Sequence, residues 1–97
     1  MNIEHKQESG SGAFFVPHDS GNLAEMTYRR HDEKTLVIDH TEVAESLQGK
    51  SVGLLLVQCA VDYARTEGLK IVPVCSFARA VFEKKPDLRD VLQTEPE

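Results

Sequence analysis

Gln48-Gly49-Lys50-Ser51-Val52-Gly53 follows an apolar run, Leu36-Val37-Ile38, and opens an amphipathic stretch from Val52 to Thr66. A glycine-bearing turn that feeds a helix aims several backbone N–H groups into one space. The helix dipole adds partial positive charge there, so the place suits a phosphate or pyrophosphate. Lys50 adds a full charge at its mouth. A simpler role fits the same residues: a helix entry whose glycines only make the turn. The six residues alone do not separate these two readings.

The hydrophobic period changes across this turn. Before it, Ile3 to Glu8 is a weak strand, and Ser9-Gly10-Ser11-Gly12 reads as a turn. Ala13 to Val16 is a strand stopped by Pro17, and Asp19-Ser20-Gly21-Asn22 is a second turn. Leu23 to Arg30 alternates, with Ala24, Met26 and Tyr28 on one face, as a half-buried strand does. A turn at His31-Asp32-Glu33-Lys34 leads to the strand Thr35 to His40, completing an antiparallel meander. After it, Val52, Leu55, Leu56, Cys59, Ala60 and Tyr63 recur at helical spacing, and Gly68 is placed to end that helix. Lys70 to Val74 is a short strand. Ser76 caps a second helix in which Phe77 and Val81 share one face, as do Ala78 and Phe82, and Pro86 stops it. Gln93 to Glu97 is polar and expected to fray. The order implies one α+β domain over residues 1–97, mostly antiparallel, with a right-handed strand–helix–strand crossover from Leu36 to Val74.

Composition narrows the functional classes. The chain has 97 residues, 40% of them apolar and 28% charged, which fits one soluble domain with a modest core. A net charge of −5 without a basic stripe disfavours a nucleic-acid partner. No apolar run is long enough for a membrane span, and the first residues lack the form of a signal peptide. Two cysteines without metal-ligand spacing suggest a reduced cytoplasmic protein and no metal site. Cys59 reads as core, and His5, His18 and His31 read as isolated exposed histidines.

Chemistry concentrates beyond the carboxyl ends of the two central strands, where ligands of layered α/β sheets tend to bind. Asp39-His40-Thr41-Glu42-Val43 lies there. Period two puts His40 and Glu42 on one face, and Asp39 and Thr41 on the other. His40 or Glu42 can accept a proton, or can simply bond to neighbouring loops. Cys75 ends the next strand at a helix start, where the dipole would favour a thiolate; packing as a small buried residue is the alternative. No nucleophile elbow, Walker or dinucleotide fingerprint is present.

The turn resembles the acetyl-CoA pyrophosphate loop, Q/R-x-x-G-x-G/A, of the GCN5-related N-acetyltransferases. Gln48 and Gly53 fit, and Ser51 stands at the usual central glycine. The chain is more closely similar to the very small YjdJ-type members. It shares with them His40-Thr41-Glu42-Val43, Gln48-Gly49-Lys50, Tyr63-Ala64-Arg65 and Val72-Pro73-Val74-Cys75, spread over nearly the whole length.

This resemblance implies acetyl transfer from acetyl-CoA to an unidentified amine. The loop Gln48, Gly49, Lys50, Ser51, Val52 and Gly53 would hold the pyrophosphate. The main chain at Glu42 and Val43 would pair with the pantetheine arm. His40, Glu42 and Cys75 would supply acid–base or nucleophilic groups. Larger members carry an Asn-x-x-Ala-x-x-x-Tyr pattern whose Tyr protonates the leaving thiolate. Here Cys75, Ala78 and Phe82 occupy those places, so that phenol is absent. The alternative function is therefore a CoA-binding module without turnover. Oligomeric state does not follow from the residues.

Overall fold

The computed structural model describes residues 2–19 and 21–93; the expectations for Ser20 and for 94–97 lie outside the described residues. Five strands form one sheet in the order β1-β2-β3-β4-β5. They are β1 (Glu4–Glu8), β2 (Ser11–Val16), β3 (Ala24–Asp32), β4 (Thr35–Val43) and β5 (Lys70–Pro73). The first four pair antiparallel as a meander, and β5 runs parallel to β4. Helix α1 (Val52–Glu67) makes the connection between β4 and β5, and α2 (Ser76–Lys84) follows β5. Short 3₁₀ turns lie at Glu45–Leu47 and Pro86–Val91.

The turns are tighter than their composition suggests. Ser11 and Gly12 already belong to β2, and His31 and Asp32 to β3. Gly12 pairs directly with Tyr28. A Cβ at Gly12 would meet the Tyr28 phenol and lie 2.6 Å from the Lys6 carbonyl oxygen, so glycine is required by close approach.

Packing of α1 on the sheet makes the core. The helix buries Val52, Gly53, Leu56, Val57, Ala60, Val61 and Ala64. This stripe is rotated from the expected one: Leu55 is 38% exposed, and Cys59 and Tyr63 are only partly buried at its margin. Phe14, Met26, Tyr28, Leu36 and Ile38 meet the stripe from the sheet. Side chains such as Leu56 and Met26, both fully buried, each contribute about 1.5–3 kcal/mol through burial. Gly68 ends α1 in the left-handed conformation (φ 70°), its N–H bonding the Ala64 carbonyl.

Two long-range features fall outside local pattern. His5 is not an isolated exposed histidine. Its ring stacks on Phe14 at 4.1 Å and meets Tyr63 edge-on at 4.6 Å. Its Nε2 lies 2.6 Å from the Tyr28 hydroxyl. The chain end also adds structure: Leu92 bridges Ile71 in parallel, and the Gln93 N–H bonds the Ile71 carbonyl at 2.8 Å. Gln93 is thus tied to β5. Arg65 holds this segment to α1 through paired bonds to Asp90 at 3.0 and 2.7 Å.

Candidate functional site

A register shift in β4 sets the geometry. Thr27 pairs with His40 but Tyr28 pairs with Ile38, so Asp39 is an extra residue against β3. Such a bulge inverts the alternation beyond it. Asp39 therefore does not share a face with Thr41. It turns to the open face of the sheet, accepting a hydrogen bond from Thr27 at 2.6 Å and lying 3.9 Å from Arg29. His40 and Glu42 are also exposed, away from the helices. Thr41 and Val43 instead face the helix side, where they line a cleft.

The second determinant is the early end of β5. Its pairing with β4 stops at Ile38 opposite Pro73. The N–H groups of Val74 and Cys75 both donate to the Ile38 carbonyl, at 3.0 and 3.1 Å. Proline has no N–H with which to continue the ladder. Beyond this point the chain enters α2, and the edge of β4 from Asp39 to Val43 pairs with no strand on that side among the described residues.

The cleft occupies this opening. Its volume is about 390 Å³, and its walls are Thr41 and Val43, the turn residues Leu47 to Gly49, the helix start Ser51 to Leu54, and Phe77. Gln48 ties the turn to the strand by donating from Nε2 to the Val43 carbonyl at 3.3 Å. Gly49 (φ 83°) and Ser51 (φ 62°, ψ 24°) both adopt the left-handed backbone. Ser51 thus keeps the conformation that glycine takes most easily. Its side chain makes no capping bond, and the first amides of α1 have no acceptor within the helix. Phe77 packs over Gly53, where a Cβ would fall on its ring. Neither α1 nor α2 carries an acidic residue in its first turn, and both helix starts contribute to the wall. The field there favours an anion. Lys50 is exposed at the rim.

Cys75 stands at the apex of the opening. It, rather than Ser76, is the N-cap of α2. Its Sγ lies 3.4 Å from Thr41 Oγ1. Burial pushes the thiol pKa up, but the Thr41 hydroxyl and the amides of Ala78, Phe77 and Thr41 outweigh it, leaving the thiol below its ordinary 9.0. Cys59 is different: burial, with Asp62 adding to it, raises its pKa.

The structure thus gathers Val43, Gln48, Gly49, Ser51, Val52 and Gly53 around one cleft, with Lys50 at its edge and Cys75 beside it. His40 and Glu42 lie across β4 on the open face. Glu42 lines a separate cleft of about 400 Å³ with Asn22, Leu23 and Glu25. Phe82, at the expected acid position, is 2% exposed in the core. Sequence reasoning missed Thr41 and Phe77. Only the bulge brings Thr41 inward, and only the helix crossing puts Phe77 against Gly53. The described residues include no group of three or more His, Cys, Asp or Glu able to hold a metal. No helix among them is long and apolar enough to cross a membrane.

A meander, a parallel strand that parts from its neighbour, and an amide-rich turn in the gap define an α+β protein with an open cleft between strand and helix starts. The profile of the GCN5-related N-acetyl-transferases matches residues 13–91, and the chain belongs to that family. A GCN5-like protein from Staphylococcus aureus, solved in solution, superposes with a TM-score of 0.75 at 37% identity, over 99% of this chain and 93% of its own. Protein NATD1 of Danio rerio is 24% identical over 86 residues, which cover 89% of this chain and 77% of its length. A family acetyltransferase from Elizabethkingia anophelis, solved with acetyl-CoA bound, shares the fold at a TM-score of 0.61 and 17% identity, over 79% of this chain and 53% of that one.

Proposed function

We propose that the protein transfers an acetyl group from acetyl-CoA to an amine. The observation that carries this reading is the cleft itself: amide-rich helix starts at one end, an unpaired strand edge along one side. A pyrophosphate suits the amides of Ser51 to Leu54, and Lys50 adds charge at the rim. The amide groups of a pantetheine arm suit the main chain at Glu42 and Val43 as an added strand would. The thioester then lies near Thr41 and Cys75. Backbone N–H groups of the same strand end stabilise the tetrahedral oxyanion. The attacking ammonium group first loses a proton, through water, to Glu42 or His40 on the open face of the sheet. The neutral amine then attacks the thioester carbonyl, the C–S bond breaks, and the amide forms. The departing CoA thiolate takes a proton from the Cys75 thiol or from water. Holding amine and thioester together supplies much of the acceleration, so no acetyl-enzyme is needed.

One observation favours a second reading, CoA binding without turnover: Phe82 is buried and holds no ionisable proton, so no phenol reaches the cleft. Calorimetric titration with acetyl-CoA, followed by mass spectrometry of a panel of primary amines incubated with protein and acetyl-CoA, separates the two. Binding with an acetylated amine supports transfer. Binding without any acetylated amine supports the second reading. A folded protein that does not bind acetyl-CoA at millimolar concentration refutes both.

A further inference from the structure

We propose that Thr41 is a positioning residue for acetyl transfer, holding the Cys75 sulfur in the opening between β4 and β5 as the proton donor to the departing thiolate. The proposal rests on the transfer reading and deepens it.

Three observations converge. The bulge at Asp39 turns Thr41 inward, where it lines the cleft. The strand-to-helix corner at Val74 and Cys75 is pinned to β4 by two N–H bonds to the Ile38 carbonyl, so Cys75 has a fixed place relative to Thr41. The two side chains meet at 3.4 Å across the widening gap between strand and helix. A hydroxyl can accept from a thiol and can donate to a thiolate. Thr41 therefore holds the sulfur in either protonation state. The threonine methyl and its β-branching restrict χ1, which fixes the hydroxyl's direction better than a flexible side chain would.

The step balances. The C–S bond of the tetrahedral intermediate breaks and its electron pair goes to the CoA sulfur. The Cys75 S–H proton moves to that sulfur, giving free CoA thiol and a Cys75 thiolate. The Thr41 hydroxyl then donates to the thiolate, beside the amides of Phe77 and Ala78. The proton lost by the attacking amine passes through water and restores Cys75. The thiol, already held below its ordinary 9.0, is acidic enough to give its proton to another alkyl thiolate.

Neighbouring charged groups do not take over this task. Arg79 is committed to the Pro73 carbonyl at 3.0 Å. Asp39 bonds Thr27 on the other face, and His40 and Glu42 are exposed there. Phe82, on α2, is buried away from the cleft.

The test compares wild type, Thr41→Val and Thr41→Ser. Alkylation of Cys75 by iodoacetamide is followed against pH, with peptide mass spectrometry separating Cys75 from Cys59. Circular dichroism checks that each variant is folded. Thr41→Val should move the Cys75 midpoint up by about one pH unit, the scale of one lost charge-assisted hydrogen bond. Thr41→Ser should restore it. In the transfer assay the alkaline limb of kcat should move by the same amount in Thr41→Val, with kcat lowered and the acetyl-CoA KM little changed. An unmoved midpoint, or Thr41→Ser behaving like Thr41→Val, overturns the proposal. So does an unmoved alkaline limb. Failure of the transfer reading looks different: no acetyl-CoA binding by wild type, while the Thr41→Val midpoint still moves.

Discussion

Ser51→Gly should stabilise this protein, and the structure sets the size of the effect. Ser51 sits at φ 62° and ψ 24°, a left-handed backbone that costs a residue with a Cβ about 1–2 kcal/mol. Glycine adopts it without that strain but loses about 0.5–1 kcal/mol more conformational freedom on folding. The side chain is exposed and makes no capping bond, so removing it sacrifices no contact. The balance is a gain of about 0.5–1 kcal/mol. For a domain of this length that corresponds to a rise in Tm of about 2–8 °C. Thermal unfolding followed by circular dichroism measures it, with Ser51→Ala as the companion variant. Alanine keeps the strain and loses only the hydroxyl, so its Tm should stay within about 2 °C of wild type. A lower Tm for Ser51→Gly would refute the reasoning. It would mean that the hydroxyl holds the turn, or that the turn is not left-handed at this residue.

Further outcomes follow from the same geometry. Gly53→Ala places a Cβ on the Phe77 ring; the ring is 41% exposed, so it swings into the cleft rather than unfolding the helix. Acetyl-CoA affinity by calorimetry should drop on the order of tenfold, about 1.4 kcal/mol, while Tm changes little; retained affinity would show that the ring has room elsewhere. Burial holds the His5 imidazole below its ordinary 6.5. The unfolded chain then binds the proton first, so the contribution of His5 is intact above about 6.5 and is lost as pH falls through the lowered folded value. The Tm of wild type relative to His5→Phe should fall as pH drops across that range, and a relative rise contradicts the assignment. Burial, with Tyr63 next in effect, pushes the Tyr28 phenol up to about 12. Its contribution is present below pH 10 and is lost as pH rises toward 12, because the unfolded phenol ionises first. Ultraviolet titration should therefore show Tyr28 ionising well after the unfolded phenol; in Tyr63→Phe an early, reversible Tyr28 signal without loss of structure would count against it.

Much of this fold is legible because it is local. Alternation at Ala24, Met26 and Tyr28 reports a strand with one buried face, and the glycine at 68 reports a helix end. The Gln48–Gly53 turn is legible as a helix entry for the same reason: its glycine and the onset of helical spacing at Val52 are neighbours in the chain. Thr41 and Asp39 were not legible. Period two carries no mark of a bulge, because the inserted residue is defined by pairing with β3 and not by its own side chain. His5 was misread because its partners Phe14, Tyr28 and Tyr63 are scattered along the chain. The strand-like bridge at Leu92 depends likewise on a free edge of β5, which no composition of residues 86–93 announces. Cys75 displaced Ser76 as N-cap because the turn out of β5 is fixed by the Ile38 carbonyl, one residue earlier than capping preference suggests.

The bulge at Asp39 gives β4 two phases in nine residues. Its first half faces the core and its second half the cleft, and the change between them depends on residue count. Substituting Asp39 leaves that count intact. Deleting it would remove the bulge but make Ile38 and His40 consecutive opposite Tyr28 and Thr27, so Thr41 would stay opposite Met26 and, with Val43, keep facing the cleft. A chain one residue shorter at this point therefore keeps the same cleft wall. Relatives must be aligned by phase across it, since a gap misplaced by one position would equate residues on opposite faces of the sheet.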